Sequence, residues 1–398
     1  MSFVLKKREK EKAEFDLAIF VVATLSFNLI TLPINLLVGL FVSKTSLDTA
    51  FCLLIYFYLF LRALPTIISR VSKRDLIFVL VLTMLFLVSM LSKGNFYYII
   101  NSISIFPILI LNYFVGRSIS NDSYIEKIVF KATPYIILVS FVTFFLTTSF
   151  AETQNEDNMG FAYLLLPFSI FSAFRMIKIK EKKILNVLVF IGALFLQIWT
   201  GTRGPLLCLI TAIIVFIILN PGRASNKIVW ALILIALMAF LSSNAFIDVV
   251  EKIANYLEKI GFSNRIVDYI LQGQISDSSG REFLTERMFL AIEENPLFGY
   301  GLFGDRVILD GHYCHNIFME FLINFGILFG SVLFVSLVVL LLVSLVRRKE
   351  NSAMILMLIC SGFVKLFLSN SYIIEPLFFM LLGVAFTKPK LDKAIDLN

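Results

Sequence analysis

Along most of this chain the hydrophobic residues do not alternate with polar ones; they fill long uninterrupted runs separated by short charged or turn-forming breaks. A helix of about 20 apolar residues is what crosses the ~30 Å hydrocarbon core of a bilayer. Taking runs of roughly 17 residues or more, the pattern predicts spans at 15–42, 47–68, 75–92, 96–116, 128–148, 160–178, 184–200, 204–220, 226–243, 324–346, 352–370 and 373–387. The expected fold class is an all-α polytopic membrane protein with about twelve transmembrane helices.

One stretch departs from this pattern. Residues 242–314 hold no span and are too long for a simple connection. Within them Phe246, Val250, Ile253, Leu257 and Ile260 recur at helical spacing, with Asp248, Glu251, Lys252 and Glu258 between them. That alternation predicts an amphipathic helix lying at the membrane interface. Further on, Ser279-Gly280-Arg281-Glu282 has capping-box spacing and opens a helix to about Glu294, which Asn295-Pro296 ends. The chain therefore divides into spans one to nine (1–241), a loop outside the cytoplasm with amphipathic helices (242–314), and spans ten to twelve (315–398).

Composition agrees: of 398 residues, 59% are apolar and 16% charged, a balance that no soluble interior accommodates. The charged start KKREKEK leads into the first run with no small-residue cleavage site, so the first helix is expected to be retained. Three of the four cysteines, Cys52, Cys208 and Cys360, lie inside apolar runs, and Cys314 does not, which is no disulfide framework. The net charge of +7 raises the question of nucleic acid. With the N-terminus in the cytoplasm, 24 of the 35 Lys and Arg fall in cytoplasmic segments and 9 outside. A bias of that sign sets topology, with both termini inside, and the scatter of basic residues over separate loops excludes a nucleic-acid face.

Four groups of residues could carry chemistry. Thr200-Gly-Thr202-Arg203-Gly-Pro205 is a tight turn between the seventh and eighth spans on the outer side, where Arg203 runs against the local charge rule. Arg203 either snorkels to lipid phosphate or binds a substrate anion, which the glycines and threonine hydroxyls would let approach closely. Arg281 falls in the first turn of the loop helix, where a cation opposes the macrodipole by some tenths of a kcal/mol unless an anion is shared with the free N–H groups. The alternative is a solvated loop arginine, and Arg287 reads as an ion-pair partner of neighbouring acids.

Asp310-Gly-His312-Tyr-Cys314-His315-Asn316 holds both histidines of the protein. An imidazole at the lip of a cavity suits general-base work near neutral pH; the other readings are a structural histidine and, without a second Cys/His pair on that side, a less supported zinc site. Lys365 and Glu375, near the outer ends of the last two spans, either pair across the turn between them or line a cavity. Arg62, within the second span, is expected to snorkel.

In order and spacing these motifs resemble the O-antigen ligase and polymerase family, which includes capsule and exopolysaccharide polymerases. The resemblance runs from Gly-Thr-Arg203-Gly, through Ser-Gly-Arg281 and Asn-Pro296-Leu-Phe-Gly-Tyr-Gly301, to His315-Asn-Ile-Phe-Met-Glu-Phe-Leu-Ile-Asn-Phe-Gly326, about 198–346. It implies a C-class (GT-C) membrane glycosyltransferase in the cytoplasmic membrane with its active site facing the periplasm or cell exterior. Arg203 and Arg281 would hold the diphosphate of an undecaprenyl-linked glycan donor, with Thr202, His312, Lys365 and Glu375 as further substrate contacts. His315 would activate the acceptor hydroxyl. Neither metal nor other cofactor is implied; the expected partners are the lipid-linked donor and acceptor, membrane lipid, a chain-length regulator and a flippase.

Three functions compete: polymerising lipid-linked repeat units, transferring finished glycan to lipid A core as a ligase, and transport. The motifs do not separate the first two, and the polymerase is preferred as the more widespread kind. A transporter would show paired interrupted helices in related halves and midspan charges, where this chain has a large asymmetric outer loop.

Overall fold

A computed structural model describes residues 2–39, 47–120, 122–150, 157–179, 181–200, 202–219, 252, 281–348 and 352–388. Among the described residues all regular structure is helical. This is what an apolar chain must do where water cannot pair its backbone, because a helix closes every N–H on its own carbonyls. Six of these helical stretches are long and apolar enough to cross a membrane: Glu11–Ile34, Ala50–Arg70, Gly94–Ser118, Ser123–Phe144, Met159–Lys178 and Ile317–Arg347. Shorter apolar helices run over Lys183–Trp199, Arg203–Leu219, Ala353–Phe367 and Pro376–Phe386. The protein is thus a multi-pass membrane protein, helical in its described residues. The expected ninth span and, apart from residue 252, the amphipathic helix at 246–260 lie outside the described residues, as does Ser279.

The chain forms two compact units, one of 1–24, 53–129 and 279–398, the other of 25–52 and 130–278. In the first, α1 (Ser2–Gly39) up to residue 24, α2 (Leu47–Arg70) from residue 53 onward, α3 (Lys73–Ser89), α4 (Lys93–Ser102) and α5 (Phe106–Ser118) precede the C-terminal elements. These are α10 (Arg281–Glu294), the single turn α11 (Gly304–Ile308), α12 (Ile317–Arg347), α13 (Ser352–Leu358) and α14 (Pro376–Phe386). Helices α5 and α14 approach backbone to backbone: a Cβ on Gly116 would strike the Met380 carbonyl, and one on Gly383 the Tyr113 carbonyl. Close approach through small residues is how membrane helices gain dispersion contact where lipid offers no hydrophobic drive.

One end of this unit is laced with ion pairs. Glu14 pairs with Arg70, Asp16 with Arg62 and Asp75 with Arg117, while the Arg348 guanidinium donates to the carbonyls of Val384 (3.0 Å) and Thr387 (2.9 Å). Arg62 therefore does not snorkel as expected. A carboxylate on the neighbouring α1 meets it within the bundle, and the pair is cheaper than an unpartnered charge in lipid.

The second unit contains α6 (Asp122–Phe150) from residue 130 onward, α7 (Asp157–Lys178), α8 (Lys183–Trp199) and α9 (Arg203–Leu219). Rings of α7 and α9 stack at Phe174 and Phe216, centroids 4.1 Å apart. Buried Gln197 of α8 donates to the Ala162 carbonyl (3.0 Å) and to the Ser169 hydroxyl (3.1 Å) of α7.

Two expected spans are irregular. The fourth bends through a 3-10 turn at Ile103–Ile105, just before Pro107, whose missing N–H cannot continue the preceding ladder. The eleventh is regular only to Leu358, then widens into a π turn at Ile359–Phe363 and tightens into a 3-10 turn at Val364–Phe367. Gly362 sits there against the backbone of Leu377.

Candidate active site

Within the first unit, the end opposite those ion pairs is built on a broken helix. At Gly326 (φ 77°, ψ 170°) α12 leaves helical geometry, which would orphan backbone groups on either side. The loop after α10 takes them up. Tyr300 N–H donates to the Ile323 carbonyl (2.7 Å), Gly301 N–H to that of Asn324 (3.0 Å), and Ile327 N–H to that of Pro296 (2.7 Å). Glycine is required for the fit, since a Cβ on Gly326 would strike the Leu297 carbonyl and one on Gly299 the Ile323 carbonyl. The Asn-Pro-Leu-Phe-Gly-Tyr-Gly and Asn-Phe-Gly segments are thus two halves of one joint. The α3–α4 turn braces it, Asn95 Nδ2 donating to the Tyr300 carbonyl (2.6 Å) and Leu302 N–H to the Ser89 hydroxyl (2.9 Å).

Behind the joint lies a charged cluster withdrawn from solvent, with Asp305 0%, Arg306 5% and Glu320 1% exposed. Arg306 Nη1 binds Asp305 Oδ2 (2.7 Å) and Glu320 Oε1 (3.3 Å). Burial alone would lower the Arg306 pKa, but the two carboxylates outweigh it and push it up, so the guanidinium keeps its charge. Glu320 also accepts from the Ser371 hydroxyl and from Tyr372 N–H (3.3 Å), and Asn324 Nδ2 donates to the Tyr372 hydroxyl (2.9 Å). The start of α12 is in this way clamped both to α11 and to the turn before α14.

His315 hangs from this scaffold. It adopts a left-handed backbone, φ 55°, at a cost of roughly 1–2 kcal/mol for a residue with a Cβ. Asn316 then starts α12, its side-chain oxygen accepting from Phe318 N–H (3.0 Å) and Met319 N–H (3.4 Å). The imidazole packs on the Tyr313 ring at a centroid distance of 4.2 Å, and Arg306 Cζ lies 5.8 Å from the centroid of the same ring. A charge-fixed guanidinium, a phenol and an imidazole therefore follow one another in contact, while α10, the end of α11 and α12 pack together through Met288, Ile292, Leu309 and Ile323.

The remaining members of the histidine segment are occupied otherwise. Asp310 pairs with Arg287 (2.7 Å), so that arginine's partner is an acid across the fold rather than one along its own helix. Cys314 donates to the Asn316 carbonyl (3.0 Å). Burial, then Glu320 and Asp305, push its thiol well above its ordinary pKa, unlike a metal-binding thiolate. His312 is exposed, its N–H bonded to the Leu309 carbonyl (3.1 Å). Among the described residues no three His, Cys, Asp or Glu side chains converge as metal ligands.

Of the other candidates, Arg281 is the first residue of α10, in the first turn as expected, and its side chain lies outside the described part. Arg203, in the second unit, is exposed and opens α9; Thr202 beside it is half-buried, its hydroxyl 3.4 Å from that of Thr200. Lys365 and Glu375 pair, Asn370 Nδ2 also donates to Glu375 (2.7 Å), and Glu375 caps α14 through Leu377 N–H (3.4 Å). Asp305, Arg306, Tyr313 and Glu320 were given no role by the sequence reading. The signal present was an acid inside an apolar run, Ile-Phe-Met-Glu320-Phe-Leu, which in a membrane protein marks a buried partner.

Residues 187–335, from α8 into α12, match the family model described as O-antigen ligase. No curated protein matches the chain.

Proposed function

We propose, from the premise that residues 187–335 form an O-antigen ligase-like domain of the O-antigen ligase/polymerase family, that this protein polymerises lipid-linked oligosaccharide repeat units of an envelope polysaccharide. It does so in the cytoplasmic membrane, with the His315 end facing outward and both termini inside. The donor is a glycan on undecaprenyl diphosphate. A hydroxyl of the acceptor sugar attacks the anomeric carbon, the glycosidic bond forms, and undecaprenyl diphosphate leaves. His315 takes the hydroxyl proton; Arg203 and Arg281 bind the diphosphate and stabilise the charge that develops on it. Arginine suits that task because its planar fork engages two phosphate oxygens at once. Thr202 and His312 are further substrate contacts, and the Lys365–Glu375 pair holds the turn before α14.

The observation that carries this reading is the strained, clamped placement of His315: left-handed backbone, Asn316 cap and Tyr313 contact hold one imidazole at the end of a rigid buried scaffold. Backbone held in a sparsely populated region, over-determined by its surroundings, is a mark of functional sites. A ligase delivering finished glycan to lipid A core would use the same residues and is distinguished by its acceptor.

Binding of undecaprenyl diphosphate to the purified protein tests the division of labour. Arg203→Lys and Arg281→Ala are expected to weaken binding by about tenfold or more, the ~1.5–3 kcal/mol of a hydrogen bond to a charged group, while His315→Ala leaves it nearly intact. Unchanged binding in both arginine variants would return Arg203 to a lipid-snorkelling role.

A further inference from the structure

Helix α12 has 31 residues, about 46 Å at 1.5 Å per residue, well beyond the ~30 Å hydrocarbon core. Its break resolves the excess. Residues 327–346 carry no charge and end at Arg347-Arg348, and twenty helical residues span about 30 Å. Gly326 therefore stands at one hydrocarbon boundary and Arg347 at the other. Residues 317–325 project beyond the membrane boundary, by at most about 13 Å, with His315 at their far end.

The loop bonded to this break has a matching composition. From Asn295 to Gly304 it holds no charged residue, although it belongs to an otherwise charged segment. Its Leu297 and Phe298 are 63% and 76% exposed. Beside them on α12, Ile327, Leu328 and Phe329 are exposed as well, so the apolar surface of the loop continues the lipid-facing surface of the span. An aromatic and an aliphatic side chain at this height have the chemistry of interfacial anchors.

We infer that Leu297 and Phe298 form a membrane wedge: they seat in the interfacial region of the leaflet on the loop side, with lipid as their occupant. The wedge cannot move without α12, because Pro296, Tyr300 and Gly301 are bonded to Ile327, Ile323 and Asn324. It thereby fixes the height of 317–325 over the lipid surface. Placing the wedge requires only the length and break of α12; the consequence rests on the proposed function, in which a lipid-linked substrate presents its diphosphate at headgroup level and His315 must meet it there.

A spin label at Phe298→Cys in protein reconstituted into phosphatidylglycerol and phosphatidylethanolamine vesicles reads the wedge without any enzymatic assay. The four native cysteines are buried, and wild-type protein carried through the same labelling sets the background. Leu333→Cys on the lipid-facing span and Glu293→Cys on the exposed end of α10 serve as lipid and water references. Collision with oxygen relative to a water-soluble nickel chelate is expected to be several-fold higher at 298 than at 293 and to approach the value at 333. A ratio at 298 equal to that at 293 would place the loop in water and overturn the wedge. Low collision with both probes would show protein rather than lipid over it, and would overturn it equally.

Discussion

At Arg306 two carboxylates share one guanidinium out of reach of water, Asp305 beside it on the single turn α11 and Glu320 from the long helix α12. Removing the cation leaves Asp305 and Glu320 buried and uncompensated, which typically costs about 3–5 kcal/mol. Arg306→Ala is accordingly expected to lower the thermal unfolding temperature in detergent sharply, whereas His312→Ala, at an exposed site, leaves it within experimental scatter. Equal melting temperatures for Arg306→Ala and wild type would mean that water reaches the cluster. The candidate residues that were legible in the sequence, Arg203, Arg281 and His315, stood out because each breaks its local context. The Arg306 cluster did not, because its meaning lies in Asp305, Glu320 and Ser371 converging from three segments. The ion pair of Arg62 escaped the reading for the same reason: its partner, Asp16, is on another helix.

Among the elements, α12 shows both what periodicity conveys and what it omits. The expected tenth span began at 324, two residues from the break at Gly326, because the long uncharged apolar run begins only after Glu320. The break itself, the docking of 296–301 and the π turn at Ile359–Phe363 depend on backbone pairing between segments, to which hydropathy is blind. Two glycines separate these effects. Gly326→Ala places a Cβ at φ 77° and against the Leu297 carbonyl, so it is expected to destabilise the protein and to expose 296–301 to limited proteolysis. Gly160→Ala, in α7 with nothing within 4 Å of the new Cβ, is expected to be neutral or stabilising by up to about 1 kcal/mol. Indistinguishable proteolysis of the two variants would refute the joint.

For the whole molecule, the first unit carries ion pairs at one end, Glu14–Arg70 and Asp75–Arg117, and the buried cluster with His315 at the other. Arg70, Arg117 and Arg348 belong to the basic residues whose expected distribution, 24 inside against 9 outside, leads us to propose that this first end faces the cytoplasm. An impermeant thiol reagent on intact cells is therefore expected to label Ser276→Cys, in the segment ahead of α10; labelling only after permeabilisation would invert the orientation and remove the outward-facing site. The multi-pass helical class and the resemblance to the O-antigen ligase and polymerase family were legible from composition and motif order, and residues 187–335 match the O-antigen ligase family model. The central claim, that His315 serves glycan assembly, is tested most directly by the length distribution of envelope polysaccharide in cells lacking this chain and complemented with wild type or His315→Ala at equal expression. Wild type should restore long chains, and His315→Ala, expected to lose about 10²- to 10⁴-fold in turnover, should leave single repeat units; full-length polysaccharide from His315→Ala would contradict the account.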